Sequence, residues 1–262
     1  MSVTASPARA EFTGPPVPIL MLETVDSTNA EARRRAESGE AGPLWISALT
    51  QTAGRGRRGR AWQGGSGNLA ATLLITTSRA PADAARTSFV AALAVADLVA
   101  TYAPDELVRL KWPNDVQLDG RKVSGVLIDS GRMTGTQALW LAVGIGVNLN
   151  SAPTGLERPA TCVADHLRME HEAPPSPAQA LAVLSAAFSR YMDLWDWSGF
   201  PAIASAWTRR AEGLGRPCVA RLEQETISGV AEGLDEDGAL RLRLANGAIH
   251  RISAGDVFFS RD

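Results

Sequence analysis

Residues 51–62 read QTAGRGRRGRAW, with Arg55, Arg57, Arg58 and Arg60 interleaved with Gly54, Gly56 and Gly59. Apolar runs at Leu44–Leu49 and Asn68–Thr77 flank this segment, and each has the length and composition of a β-strand. A strand–loop–strand order restricts the fold. Gly54, Gly56 and Gly59 satisfy G-x-G-x-x-G, but a dinucleotide-binding turn leads from a strand into a helix and has an acidic residue about 20 positions on, and neither follows here. A Walker loop requires Lys and then Ser or Thr after its last glycine, where this chain has Arg60 and Ala61. Ordering such a glycine-rich, like-charged loop of roughly ten residues costs on the order of 10 kcal/mol, which an anionic partner must offset. The pattern predicts a mobile loop that closes on a phosphate. An arginine-rich run is also the signature of a solvated or nucleic-acid-binding patch.

The remaining composition narrows the choice. Over 262 residues, 26 Lys and Arg stand against 28 Asp and Glu, so the positive charge is local and argues against a protein dedicated to DNA or RNA. Hydrophobic residues make up 45% of the chain, enough to build the core of one large domain with a small one attached. Cys162 and Cys218 form no C-x-x-C pair, and His166 and His171 miss the i, i+4 spacing of a helical metal site, so no side-chain metal cluster is expected. The N-terminus has no apolar stretch long enough for a signal peptide or a membrane span, which predicts a soluble, cytoplasmic protein with no membrane partner. Pro15, Pro16 and Pro18 follow an Ala- and Ser-containing stretch, and residues 1–17 read as a disordered tail.

In chain order, Ile19–Glu23 reads as a strand, and Ser27-Thr28-Asn29 opens a helix that ends near Gly39. Thr28 with Glu31 fits a capping box. Pro81 begins an apolar helix to about Tyr102. Arg109–Val116 leads through an Asp119-Gly120 turn to a returning strand, Lys122–Ser130. This hairpin gathers Lys111, Asn114, Asp115 and Lys122, with Asp115 just past the bend at Pro113. Gln137–Val147 reads as a buried strand in which Gly144 and Gly146 allow close backbone approach before Asn148. Helical patterns cover Thr161–Met169, Pro177–Trp197 and Phe200–Ala211. From Gly213 onward, four short alternating segments separated by Asp237-Gly238 and Asn246-Gly247 turns predict a small β-barrel.

The helix start Ser27-Thr28-Asn29, the loop Gln51–Trp62, the Lys111-Trp112-Pro113-Asn114-Asp115 box with Gly120-Arg121-Lys122, and Gly144-x-Gly146-x-Asn148 together resemble biotin protein ligase, in the family's order and from about residue 20 to the end. The resemblance implies an α/β (α+β) fold: a class II synthetase-like mixed β-sheet flanked by helices over residues 18–212 and an SH3-like β-barrel over 213–262. Many bacterial members begin with a winged helix-turn-helix of about 60 residues, for which the position of Ser27 leaves no room. This implies a monofunctional ligase that does not bind DNA.

The same resemblance implies two reactions: ATP and biotin form biotinyl-5′-AMP, and biotin then passes to a lysine of a carboxyl carrier domain. By the family pattern, Ser27, Thr28, Asn29, Gln51, Arg55, Gly56, Arg57 and Lys122 bind biotin. Arg55, Arg57, Arg58, Arg60, Trp62, Lys111, Asn114 and Asn148 lie around ATP and the adenylate, with Trp62 stacking on adenine. Lys122, Arg57 and Asp115 are the implied catalytic residues, because two anions must meet at the α-phosphate and a lysine proton must then be accepted. Mg²⁺ is expected to arrive with ATP, held mainly by phosphates. The resemblance leaves a homodimer open. A lipoate or octanoyl transferase of the same fold is the nearest alternative reading, and a non-catalytic nucleotide- or nucleic-acid-binding regulator is a more distant one.

Overall fold

The computed structural model describes residues 17–156 and 159–259. The chain begins with β1 (Ile19–Val25), α1 (Thr28–Glu37), β2 (Leu44–Gln51), β3 (Leu69–Thr77), α2 (Pro81–Ala85) and α3 (Thr87–Tyr102). It continues through β4 (Val108–Lys111), β5 (Asp115–Leu118), β6 (Arg121–Arg132), β7 (Leu139–Val147), α4 (Pro177–Ser198) and α5 (Phe200–Arg209). It ends in β8 (Pro217–Arg221), β9 (Thr226–Leu234), β10 (Leu240–Arg243), β11 (Ile249–Ile252) and β12 (Asp256–Phe259). The first seven strands form one mixed sheet in the order β1-β2-β3-β7-β6-β5-β4, in which β1 and β2 run parallel and all other neighbours are antiparallel.

Period-2 alternation divides the sheet between two layers of helix. Trp45, Leu73, Leu141 and Val143 face the main core, where α3 and α4 pack. Ile46, Leu74 and Ala142 face the opposite side, where Ala32 and Ala36, one turn apart on α1, close a small second cluster. The stretch Pro81–Tyr102 is long and apolar enough to cross a membrane, yet 67% of its most apolar 18-residue window is buried within this fold, so it serves as core.

Two connections position the site. Asp119 and Gly120 both have positive φ, 53° and 67°, and form the two-residue turn between β5 and β6. The open edge of β4 is covered by the linker to the C-terminal strands: Leu110 N–H donates to the Arg210 carbonyl and Glu212 N–H donates to the Leu110 carbonyl, each at 2.8 Å. The C-terminal strands form a five-stranded antiparallel sheet in the order β11-β10-β9-β8-β12. Buried Trp112 fastens the two sheets by donating its indole N–H to the Gly238 carbonyl at 3.1 Å.

Several local expectations are corrected. The capping box at Thr28 does not form: Ser27 is the N-cap, no side chain caps the helix, and Glu31 pairs with Arg34 and Arg35. Thr28 is instead drawn into tertiary bonds to Gln51. Thr161–Met169 holds only a short 3₁₀ turn, Val163–His166, because this segment docks its backbone on neighbours: Thr161 and Val163 donate to the Lys122 and Asn148 carbonyls. The helix expected from Pro81 is broken after Ala85 into α2 and α3. Arg109–Val116 is not one arm, since the chain reverses at residues 112–114 and pairs Lys111 with Asp115. The last strand, β12, was not anticipated. The tail expected over residues 1–17 lies, apart from Val17, outside the described residues.

Candidate active site

A cavity of about 470 Å³ opens on the α1 side of the large sheet. Its floor is set by register, with Ala70, Gly146 and Gly125 in one cross-strand row and Gly144 and Leu127 in the next, a row that Thr72 continues behind the polar wall. The glycines are there for space. A Cβ on Gly146 would collide with the Trp62 ring and one on Gly144 with the Asn29 amide, so larger residues would fill the cavity's floor. Apolar lining comes from Ala70 and Leu127, while Val126 and Ile145 border the cavity from strands whose alternate side chains enter the main core.

One end of the cavity is polar and tightly held. Ser27, Thr28 and Asn29 are at most 5% exposed, although all three line the cavity. Gln51 Oε1 accepts from Thr28 N–H at 2.8 Å and from the Thr28 hydroxyl at 3.1 Å. Asn29 Nδ2 donates to Asp129 Oδ2 at 2.9 Å, and its Oδ1 accepts from the Thr72 hydroxyl at 2.7 Å.

The other end is cationic. Lys122 Nζ donates to Asp115 Oδ1 at 2.5 Å and lies 5.9 Å from the Trp62 ring centroid. Arg57 donates to Asn114 Oδ1 at 2.9 Å, while Asn114 Nδ2 donates to the Val126 carbonyl, tying the basic loop to the 112–114 bend. Burial pushes the Arg57 guanidinium below its ordinary value, against the pull of Asp256 and Asp115. A partly desolvated guanidinium is poised to bind an anion, since a charge-assisted bond recovers part of what burial costs. Asn148 is buried in the cavity wall and donates to the Thr161 carbonyl, while its Oδ1 has no partner among the described residues. Such an orphaned acceptor marks a place where a ligand donor fits.

The basic loop folds back on itself. Arg55 bridges to Ala61, Gly56 N–H donates to the Arg60 carbonyl at 2.7 Å, and Arg58 adopts a left-handed φ of 56°. From β12, Asp256 reaches across to Arg58 (3.4 Å) and Arg60. The loop's charge is therefore partly met from within the chain.

The fold brings most of the expected residues to this one cavity: Ser27, Thr28, Asn29, Gln51, Arg55, Gly56, Arg57, Arg60, Trp62, Asn114, Asp115, Lys122 and Asn148 all line it. Two lie elsewhere. Arg58 turns toward Asp256, and Lys111 lies 5.8 Å from the Phe258 ring centroid, against the C-terminal sheet. Three residues that sequence reading missed contribute: Asp256 lines the cavity, while Thr72 and Asp129 stand behind its polar end. Thr72 and Asp129 left a faint signal, as the polar residues of otherwise apolar strand segments. Asp256 left none.

The large mixed sheet, the glycine-floored cavity with one polar and one cationic end, and the appended antiparallel sheet define the class. The chain belongs to the biotin/lipoate A/B protein ligase family, whose description matches residues 21–148, and the biotin protein ligase C terminal domain matches residues 213–260. It is 43% identical over 242 residues to the biotin–[acetyl-CoA-carboxylase] ligase of Paracoccus denitrificans, spanning 91% of this chain and 99% of that one. Over 242 residues it is 28% identical to the bifunctional ligase/repressor BirA of Escherichia coli (strain K12), spanning 91% of this chain and 73% of that one. Among solved structures, the biotin protein ligase from Aquifex aeolicus in complex with biotin and ATP matches with a TM-score of 0.76 and 26% identity, covering 94% of this chain and 99% of that one.

Proposed function

We propose that this chain is an ATP-dependent biotin ligase that forms biotinyl-5′-AMP and transfers the biotinyl group to a lysine of a carboxyl carrier domain. One observation carries the reading: a single cavity joins a wall of buried hydrogen-bonding groups, suited to a neutral ureido ring, to a cationic end suited to a carboxylate meeting a phosphate. The apolar side chains on this face of the sheet, Ala70 and Leu127, suit an alkyl tail.

In the first step a carboxylate oxygen of biotin attacks the α-phosphorus and pyrophosphate leaves. Lys122, on β6, and Arg57, on the basic loop, both line the cavity at this junction and neutralise the two approaching anions. Trp62 lies over the Gly125–Gly146 floor, where its ring offers a face for the adenine. Asn148 Oδ1 offers an acceptor to a nucleotide N–H or hydroxyl. Arg55 and Arg60 remain at the cavity rim for the phosphates.

In the second step the acceptor amine attacks the acyl carbon, AMP leaves, an amide forms and one proton is lost. Presenting that amine neutral at pH 7 costs about 4.6 kcal/mol from a free pKa near 10.4. Asp115 is the carboxylate placed to accept the proton once Lys122 turns toward the acyl phosphate, and Asn114 orients the phosphoryl oxygens. Mg²⁺ would be carried with ATP, where it would screen the phosphate charge. The two carboxylates lining the cavity are held by cations, Asp115 by Lys122 and Asp256 by Arg58 and Arg60, so phosphate oxygens suit the ion better than a protein cage.

The test is ATP–pyrophosphate exchange with biotin or lipoate, followed by transfer of labelled biotin to a carboxyl carrier domain. Exchange with biotin and label on the carrier are the expected results; exchange with lipoate alone would overturn the reading.

A further inference from the structure

Thr72 and Asp129 lie outside the cavity's lining, yet they are bonded to the residues that form its polar wall. Thr72 is fully buried on β3, and Asp129, on β6, lines a second cavity that Asn29 also borders. Their bonds fix the direction in which every hydrogen bond of the wall runs.

The order starts at Asn29. Its Nδ2 has acceptors only within reach: Asp129 Oδ2 at 2.9 Å, the Leu127 carbonyl at 3.3 Å and the Ala142 carbonyl at 3.5 Å. The amide is therefore held with its NH₂ toward Asp129 and its oxygen toward Thr72. That oxygen only accepts, so Thr72, 2.7 Å away, must commit its single proton to it. Thr72 Oγ1 also lies 2.8 Å from Thr28 Oγ1 and has no proton left for that contact. Thr28 must then donate, either to Thr72 or to Gln51 Oε1 at 3.1 Å, and it keeps only lone pairs to offer a ligand. Gln51 is fixed in turn, because its oxygen accepts the Thr28 N–H at 2.8 Å and its NH₂ is the end left to donate. The wall thus presents an acceptor at Thr28 beside a donor at Gln51, the complement of a ligand N–H beside a carbonyl.

We propose that Asp129 and Thr72 are positioning residues that set the hydrogen-bond polarity of the ligand-recognising wall from behind, so that it selects a ureido ring. This rests on the biotin-ligase reading above. Without the Thr72 proton, Asn29 Oδ1 loses its donor and Thr28 is free to turn its own proton toward the cavity, against a ligand N–H. Asp129→Asn puts an amide beside the Asn29 amide and removes the nearest and only charged of the three acceptors that orient it, leaving the longer contacts to the Leu127 and Ala142 carbonyls.

The experiment compares Thr72→Val, Thr72→Ser and Asp129→Asn with the unaltered protein in ATP–pyrophosphate exchange, with KM for biotin, KM for ATP and kcat measured separately. Stranding a buried polar group costs roughly 1–3 kcal/mol, so Thr72→Val should raise KM for biotin by about 30-fold and Asp129→Asn by about 10-fold. KM for ATP should hold within about two-fold, since the cationic end keeps its bonds, and Thr72→Ser should restore biotin KM because it keeps the proton. Unchanged biotin KM in both Thr72→Val and Asp129→Asn would overturn the proposal. So would a parallel loss of biotin binding, ATP binding and kcat that Thr72→Ser fails to rescue, which would mark general structural damage. If the unaltered protein shows no biotin-dependent exchange, the reading of function itself fails, an outcome distinct from the other two.

Discussion

The two ends of the cavity are built by different means. Ser27, Thr28, Asn29 and Thr72 are 0–5% exposed and held by side chains from four separate elements, so that wall is in place before any ligand arrives. The basic loop has no buried residue in its Arg57–Gly59 turn and is held by charge contacts, Arg58 and Arg60 to Asp256 and Arg57 to the amide oxygen of Asn114. Oxygens of the chain occupy the arginines where phosphate oxygens would otherwise be needed. The difference teaches how a costly loop is made affordable: internal oxygen acceptors order it in part, and a stronger anion can displace them. On the proposed reading, recognition of the neutral ring is preorganised, whereas recognition of the phosphate involves exchange of partners.

The largest effect expected is at the cationic end. Lys122→Met removes the charge at the proposed reacting junction and should lower the rate of adenylate formation by about 10³-fold, roughly 4 kcal/mol, in pyrophosphate exchange. Gly144→Ala attacks the preorganised end, since the new Cβ would occupy the place of the Asn29 amide. Displacing that amide should raise KM for biotin by about 100-fold, with a smaller change in KM for ATP, in the same assay.

Asp256→Ala tests the internal acceptors. Releasing Arg58 and Arg60 should speed proteolytic cutting between Ala53 and Gly64 in the free protein by about five-fold and leave cutting in the presence of biotin and ATP nearly unchanged, because ligand oxygens take over the arginines. Equal cutting of the two proteins without ligand would mean that Asp256 does not order the loop.

The smallest effect lies at the α1 start, outside both ends. Arg34 holds the Asp26 carboxyl well below the usual carboxylate range, with the Ser27 N–H adding to the effect. A depressed folded-state pKa contributes stability above the unfolded pKa of about 3.9 and loses it as pH falls through the folded value. The pair is largely exposed, so Asp26→Asn should cost only about 0.5 kcal/mol at pH 7, or a degree or two in Tm, and the gap should close as pH drops below about 4.

Much of this site was legible from the sequence because its parts are local. An Asp-Gly pair is a two-residue turn wherever alternating strands flank it, and the β5–β6 connection at Asp119-Gly120 follows that rule. The basic loop lies between strands as its flanking apolar runs required. Local signals failed where a distant partner outcompeted a near one. Thr28 and Glu31 carry a capping-box pattern, but the Thr28 hydroxyl meets Gln51, 23 residues on, and Glu31 meets arginines of its own helix. The docking of Lys111 against Phe258 and the reach of Asp256 to the loop join segments separated by more than a hundred residues, and no pattern within a window announces them.

By itself, the sequence determined which residue types are available and at what spacing: four arginines among glycines in a loop, three small polar residues at a helix start, and a lysine just after a tight turn. Those choices suffice for most of the elements and for the resemblance to a ligase family, which in turn implied the mixed sheet and the small domain appended to it. Tertiary structure alone decided that the rows Ala70–Gly146–Gly125 and Thr72–Gly144–Leu127 lie in register beneath α1, and that Asn29 finds Thr72 and Asp129 at separations of 43 and 100 residues. The reason is physical. Propensity and periodicity act over a few residues, whereas the direction of a hydrogen bond depends on which donors and acceptors the whole fold brings within 3 Å or so of one another.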